Sequence, residues 1–573
     1  MRVIATAGHV DHGKSTLVRA LTGTDPDRFA EEKRRGLTID LGFAHAVIDG
    51  EPISFVDVPG HVRFLRNMLA GVGGVDACLF VVAATEGWMP QSEEHLRILE
   101  LLGIRHGVVA LTKVDLAGEP DLVELAALDV TEHVAGTFLD GAPVVPVAAP
   151  AGTGLDELRA ALGRLARTTP AAVDRGRPRL WIDRVFAARG SGTVVTGTLT
   201  GGAIATGDRM VVEPGGRGVR VRSIQTHGVV VERIDPGNRV ALNLSGIEHT
   251  ELARGDAVVA PGQWHLTDRF DARLHVLASL DHTVSRRGAY LAYLGSGEHA
   301  VRLRVLGPDA IRPGTDALVR IHLGTAVPLL PGDRFVLRET GRDETVGGGE
   351  VLDVAPVLPA SRARPDRRVE RVVAERGWVD ADELERLTGE RRPPTIGRWV
   401  VDPDAAARAA EALRARLPIA LATLDERERA LLDVLDDVVV DGVHAHLAGS
   451  APDLAQHPVV ATLAAGGLAP PAPEGISRGE LRDLVRRGAL VERDGIYWHA
   501  DAIDAAARLA AELLARAGTG FTVSEFREAA GITRKHAVPL LAELDARGIT
   551  RRRGDLRIAG PRMPGPGPGS PSG

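Results

Sequence analysis

Gly8-His9-Val10-Asp11-His12-Gly13-Lys14-Ser15 follows the apolar run Val3–Ala7 and opens an apolar, helically spaced segment. It fits the G-x-x-x-x-G-K-[S/T] loop in the strand–loop–helix setting that this pattern requires. Its glycines let backbone N–H groups close around phosphates. Lys14 reaches the β- and γ-phosphates, the Ser15 hydroxyl ligates Mg²⁺, and the helix N-terminus adds its dipole. Outward from this loop, residues 1–170 alternate short apolar runs (Ile53–Val58, Ala77–Ala84, Gly107–Leu111, Pro143–Val147) with helical patterns such as Ser92–Leu102 and Asp156–Leu165. That alternation predicts an α/β domain with a parallel sheet covered by helices.

Three further pieces stand in the order a guanine-nucleotide switch needs. Asp57-Val-Pro-Gly60 ends a strand, so Asp57 is placed to hold Mg²⁺ and the Gly60 amide to meet the γ-phosphate. Arg35-Gly-Leu-Thr38 lies in the polar segment before Ile53, and Thr38 would complete the Mg²⁺ shell. Thr112-Lys113-Val-Asp115 follows the strand Gly107–Leu111, and Asp115 can accept from guanine N1–H and its 2-amino group, which adenine cannot satisfy in the same way. Each tetrapeptide is weak alone; together on one framework they are strong.

With 573 residues the chain needs several domains. Its net charge of −7 does not announce nucleic acid, so any RNA site must come from local charge. Cys78 is the single cysteine and lies in an apolar run, which fits a small buried side chain in a reducing compartment. No signal peptide and no membrane helix is read, so the expected location is cytoplasmic, without a membrane partner, as a monomer. Lys14, Lys33, Lys113 and Lys535 are the only lysines among many arginines, which suggests roles that a planar guanidinium cannot fill.

After the connector Thr168–Pro178, short β-branched strands separated by Gly and Pro predict two β-barrels, 171–264 and 265–358. From 359 to 560 the texture becomes helical with short hairpins. Capping boxes are read at Asp380 with Glu383, Ser477 with Glu480 and Thr522 with Glu525, and a hairpin at Asp494-Gly495. This segment is expected to be a row of α+β winged-helix units, about four by the repeat pattern, with 519–560 as the last and 561–573 as a disordered tail.

The residues Gly8-His-Val-Asp-His-Gly-Lys-Ser-Thr16, Arg35-Gly-Leu-Thr38 and Asp57-Val-Pro-Gly-His61 give the chain a resemblance to the EF-Tu class of translational GTPases. The resemblance implies GTP/GDP with Mg²⁺ as ligands. It gives the nucleotide set as Gly8, Asp11, His12, Gly13, Lys14, Ser15, Thr16, Thr38, Asp57, Gly60, Thr112, Lys113, Asp115, Ala148 and Ala149, with Ser15, Thr38 and Asp57 on the metal. It implies that His61 positions the attacking water behind an apolar gate of Val10 and Leu37; the bland alternative is a surface histidine at a helix start. Thr112 replaces the family's Asn, and Ala148-Ala149 replace its Ser-Ala pair, where Ala149 can still offer a backbone N–H.

Continuation past the barrels, with Ile182-Asp-Arg-Val-Phe186, Gly192-Thr-Val-Val-Thr-Gly-Thr198, Gly531-Ile-Thr-Arg-Lys-His536 and Gly548–Arg557, resembles the selenocysteine-specific elongation factors. That family implies ribosome-stimulated GTP hydrolysis, delivery of selenocysteinyl-tRNA to the ribosome at a recoded UGA, and C-terminal winged helices that bind an mRNA hairpin, the SECIS element. An acidic selenol favours a cationic pocket, for which Arg184, His227 and Arg239 are candidates; structural salt bridges are the alternative for each. Over 519–560 basic residues outnumber acidic ones eight to five. Arg534, Lys535, Arg551, Arg552, Arg553 and Arg557 are the RNA candidates, against an ordinary solvated face. Two other readings stay open: an EF-Tu-class factor carrying another tRNA, and a GTP-switched regulator whose winged helices bind DNA.

Overall fold

Arg2–Ala7 (β1) is the middle of a six-stranded sheet ordered β2-β3-β1-β4-β5-β6, with β2 Gly42–Ile48, β3 Glu51–Asp57, β4 Ala77–Ala83, β5 Gly107–Thr112 and β6 Val144–Pro146. This is a computed structural model, and it describes residues 1–26, 38–61, 64–72, 74–188, 192–441, 443–448 and 457–564. Strands β3, β1, β4, β5 and β6 run parallel, and β2 is antiparallel to β3. All seven residues of β4 are buried, as a central strand covered on both faces must be. Leu17, Val18, Leu158 and Leu162 pack on one face of the sheet, and Leu96, Leu99 and Val130 on the other. Sequence periodicity did not show β2. It is an edge strand whose outward positions are open and whose hairpin turns on Asp49-Gly50, both at positive φ.

The strands Arg179–Trp181, Gly192–Thr200, Asn238–Ser245, Arg217–Thr226, Arg209–Glu213 and Ala257–Val259 form a circuit, closed because Arg209–Glu213 pairs on both sides. A second closed barrel runs from Leu266–Val276 to Glu344–Asp353. Its core, with Phe270 and Phe335, also takes in Val372, Val373 and Leu384 from the first helical segment, Val369–Arg376 and Ala381–Thr388. Arg371, 9 % exposed, reaches Asp353 at 2.9 Å across the same seam and Glu375 at 2.8 Å on its own helix. The first helical segment is therefore welded to the second barrel, and the chain divides into compact units later than the change of texture suggests, as Met1–Ala405 and Ala406–Gly573.

Within the second unit, Leu490–Arg493 and Ile496–His499 form the expected hairpin, with Asp494 and Gly495 at positive φ. Reciprocal capping boxes form at Ser477 with Glu480 and Thr522 with Glu525, and also at Asp425 with Glu428. Asp380, in the first unit, caps one way only, accepting from the amides of Asp382 and Glu383. The last element group is Val523–Ala530, Arg534–Ala546 and the wing Thr550–Arg553 with Leu556–Ala559. Phe521, Phe526, Leu540 and Leu544 pack there beneath the long helix Ala500–Ala517. The Arg562 amide donates to the Gly548 carbonyl at 2.9 Å, so the ordered chain passes the expected start of the tail at Pro561; residues 565–573 lie outside the described set.

Candidate nucleotide and RNA sites

The loop between β1 and the helix Lys14–Thr22 forms because glycine stands where the backbone has no alternative. Gly8 has φ +130°, and a Cβ there would lie 2.0 Å from the Val81 carbonyl oxygen. Lys14 is buried and its ammonium donates to the carbonyls of Gly8 at 3.0 Å and His9 at 2.6 Å. The Ser15 hydroxyl donates to Asp57 Oδ2 at 2.6 Å and lies 2.8 Å from Thr38 Oγ1. Thr6 donates to Asp57 Oδ1 at 2.7 Å and accepts from the Val58 amide at 3.1 Å, fixing a carboxylate with no exposed surface. Gly60 completes the cradle; a Cβ there would meet Lys14 Nζ at 2.5 Å and Val10 at 2.8 Å. The three residues expected on a metal thus converge, and two hydroxyls with one carboxylate suit a hard, oxygen-seeking divalent cation. Arg35 and Leu37 lie outside the described residues, so the apolar gate is represented by Val10 alone. His61 is half-buried, its ring 5.9 Å from that of Phe64.

Thr112 ends β5 and its hydroxyl donates to the His12 carbonyl at 2.6 Å, with the Val82 carbonyl 3.2 Å away. It therefore keeps the loop-bracing half of the family Asn and has no amide to offer a base. Lys113, at positive φ, reaches Glu86 at 2.9 Å, and Asp115 stands exposed in the turn Val114–Leu116. The Ala148 amide donates to the Thr153 carbonyl at 3.0 Å, which presents Ala149 at the bend. His12 is wholly buried, and desolvation pushes its imidazole down to about 4 against the opposing pull of Glu86. Asp11 is at positive φ on the exposed tip of the loop, and Thr16 is exposed in the first turn of the helix.

Sequence reasoning missed Gln91 and His95, whose carboxamide and Nδ1 accept from the amides of Val10 at 3.0 Å and Gly8 at 3.1 Å. Their i, i+4 spacing on the helix Pro90–Leu101 was a visible signal, but nothing in it named the loop as partner.

The three cation candidates need correction. Arg184 donates to Asp40 at 2.9 Å and to the Leu41 carbonyl. Arg239 makes a two-pronged pair with Asp183 at 2.6 and 2.9 Å, with its guanidinium over the Phe43 ring. His227 lies 3.2 Å from Ser54 Oγ and against the His45 ring, and burial pushes it down to about 4, so it is neutral at ordinary pH. His227 and Arg239 line a cavity of about 330 Å³ with Phe43, His45, Thr196 and Gln225; Arg184 does not. None of the three is a bare cation, because the chain supplies each arginine with its own carboxylate.

In the last element group, Arg534 and Lys535 stand exposed in the first turn of Arg534–Ala546, which carries no acidic residue there. Arg551, Arg552 and Arg553 are exposed along one wing strand. Arg557 is a correction: it is 7 % exposed, turned inward, with Nε 3.1 Å from Asp545. Thr550 donates to the other oxygen of the same carboxylate at 2.6 Å.

A glycine-bent loop after β1, a convergent Ser–Thr–Asp set and a turn that exposes Asp115, followed by two closed barrels, are the arrangement of an EF-Tu-class GTP-binding translation factor. Residues 1–168 match the family described as elongation factor Tu GTP binding domain, 267–357 the selenocysteine-specific elongation factor beta-barrel domain, and 512–559 the elongation factor SelB winged helix. The chain is 35 % identical over 390 residues to elongation factor Tu 2 of Streptomyces avermitilis, covering 96 % of that protein. It is 42 % identical over 354 residues to the selenocysteine-specific elongation factor of Desulfomicrobium baculatum, and 37 % identical over 385 residues to that of Escherichia coli. The matched stretches take up 61 % and 67 % of this chain but only 55 % and 60 % of those relatives. A crystal structure of a bacterial selenocysteine-specific elongation factor, EF-Sec, superposes with TM-score 0.72 at 26 % identity, over 97 % of this chain and 99 % of that one. The chain belongs to the elongation factor Tu family of translation factors, and its second barrel and last winged helix are similar to those of the selenocysteine-specific elongation factors.

Proposed function

We propose that this protein binds GTP, carries selenocysteinyl-tRNA to the ribosome in the GTP form, and is tethered near its recoded codon by an mRNA hairpin held on the last winged helix. The observation that supports this reading best is the union in one chain of the Ser15–Thr38–Asp57 switch with a barrel and a winged helix of the selenocysteine-specific type. Ser15, Thr38 and Asp57 would hold Mg²⁺, which when bound neutralises charge on the β- and γ-phosphates. Lys14 would give up its carbonyl partners for phosphate oxygens. Thr112 braces the loop while Asp115 selects guanine. His61, which follows Gly60, would orient water at the γ-phosphate, so the chemistry is mainly positioning and charge stabilisation. The reading implies a cytoplasmic factor; among the described residues no helix is long and apolar enough to cross a membrane.

The likeness to selenocysteine-specific factors, and not a bare cationic pocket, is what supports this choice of cargo. The cavity beside Arg239 and His227 is the place to look for it, since a site whose donors are set for one headgroup rejects its near-isostere by leaving them unpaired. The test is binding of one tRNA body charged with selenocysteine or with serine, to the protein loaded with a GTP analogue or with GDP. Preference for selenocysteine that disappears with GDP is expected. Equal binding of both would remove the cargo assignment and leave a GTP switch with another load.

A further inference from the structure

The C-terminal half of the helix Pro90–Leu101 faces the second barrel across a cleft of about 640 Å³. In the barrel wall Glu350 stands directly opposite Arg273 on one neighbouring strand and Arg334 on the other, so the three side chains form a row across Leu266–Val276, Glu344–Asp353 and Arg334–Glu339. Arg105, in the loop after the helix, lines the opposite side. Glu350 is already engaged by Arg367 at 2.5 Å and lies 3.6 Å from Arg334. The other carboxylates of the cleft are taken. Glu93 and Glu100 both hold Arg97 at 2.7 Å, and Asp316 holds His275 at 2.7 Å. Arg105 and Arg273 are exposed, and among the described residues neither has a carboxylate within ion-pair distance. Arg105, Arg273, Arg334 and Arg367 thus crowd around the single carboxylate of Glu350. Arg334 feels the crowding: burial lowers its pKa most, Glu350 opposes, and Arg105, Arg367 and Arg273 add to the lowering.

Like charges gathered with too few carboxylates repel one another, and a bound anion relieves them. Guanidinium forks match phosphate oxygens two at a time. The volume is that of sites that take small organic ligands, and Leu101, Leu277 and Gly348 offer an apolar wall to the rest of such a molecule. We infer that this cleft is a binding site for a small phosphate-bearing molecule of nucleotide size, its phosphates held by Arg105, Arg273 and Arg334. None of the residues expected on GTP or Mg²⁺ lines it. The helix Pro90–Leu101 nevertheless serves both places, since its Gln91 and His95 hold the loop amides of Val10 and Gly8. An occupant would therefore rest on the element that braces the nucleotide loop, whatever cargo the protein carries.

The experiment titrates the full chain, saturated with GDP and Mg²⁺ so that the nucleotide loop is filled, with inorganic pyrophosphate and with ADP, by calorimetry at fixed free Mg²⁺. At least one of the two should bind more tightly than sulfate at the same ionic strength. Arg105→Ala and Arg273→Ala should each weaken that binding about tenfold, the worth of one charged hydrogen bond. Arg273→Lys keeps the charge without the fork and should lose less. Arg286→Ala, exposed elsewhere in the same domain, should change nothing, and GDP affinity should be the same in every variant. Arg105 lies in an exposed loop, so its variant keeps the test open if Arg273→Ala fails to fold. Failure of both probes to bind, equal binding of sulfate, or unchanged binding in the Arg105→Ala, Arg273→Ala double variant overturns the site. A further arm titrates an RNA hairpin. If the hairpin alone binds, and loses affinity in the arginine variants, the phosphates belong to an RNA backbone and the small-ligand site is overturned.

Discussion

Thr112 shows how one residue can carry half of a role. The family Asn would brace the loop and touch the base; here a hydroxyl makes the brace at 2.6 Å and the base contact has no donor. Thr112→Val keeps the volume and removes the hydroxyl that donates to the His12 carbonyl. A net hydrogen bond of this kind is worth about 0.5–1.5 kcal/mol, so the GDP dissociation constant should rise about two- to twelvefold. Equilibrium titration with a fluorescent GDP would show it, and an unchanged constant would mean that the brace does not shape the loop. The substitution was visible in the sequence, but which half of the role survives was not, since that depends on where His12 turns its carbonyl. The same holds for Arg184, Arg239 and Arg557. Sequence shows a cation, whereas its neutralising carboxylate (Asp40, Asp183 or Asp545) is brought in by folding from another strand, helix or loop.

Between residue and molecule, the helix Pro90–Leu101 and the last wing each divide their duties by face. On the helix, Gln91 and His95 hold the amides of Val10 and Gly8, while Glu94 accepts from Arg338 at 3.2 Å and Thr345 at 3.3 Å on the second barrel. One rigid element therefore touches the nucleotide loop with one face and the barrel with the next. On the wing, Arg552 and Arg553 point to solvent and Arg557 points in. Replacing Arg552 and Arg553 by Ala should weaken binding of an RNA hairpin and flatten its salt dependence by about 0.7–0.9 log units per lost phosphate contact. Arg557→Ala should leave the slope alone and destabilise the unit by about 1.5–3 kcal/mol, the worth of a charged hydrogen bond left unmade. Binding isotherms at several salt concentrations, beside thermal melts, separate the two effects; a flattened slope for Arg557→Ala would place it on the RNA after all. Period-3.6 and turn signals made these helices and hairpins readable, because local spacing and capping decide them. The edge strand Gly42–Ile48 escaped, since its pairing with Glu51–Asp57 uses an alternation weakened by Gly42, Ala44 and His45.

Across the whole molecule, several histidines are held neutral by burial, and this sets a pH limit on the unliganded fold. Burial pushes His12 to about 4 and His95 to about 3, and both have essentially no exposed surface. Gly8 N–H donates to His95 Nδ1, so protonating that nitrogen would also cost the loop its anchor. In the unfolded chain both rings titrate near 6.5. A folded pKa below the unfolded one means that the unfolded state binds more protons between those values, so stability falls as pH drops from about 6.5 toward 4. Each such ring contributes a slope of up to about 1.4 kcal/mol per pH unit in that window. Carboxylates with lowered values, such as Glu86, Glu480 and Glu525, lose their contribution only below about 4.5, while Asp76, Asp256 and Asp271, raised by burial, act in the opposite sense, so it is the difference between wild type and a histidine variant that reports the ring. His95→Gln keeps an acceptor for Gly8 and removes the titration. The melting temperature of the nucleotide-free wild type should therefore fall steadily between pH 7 and pH 5, and that of His95→Gln should fall less. Parallel pH curves for the two proteins would show that the His95 ring is not held neutral. Because a nucleotide binds only the folded loop, GDP should raise both curves by mass action while leaving their divergence in place.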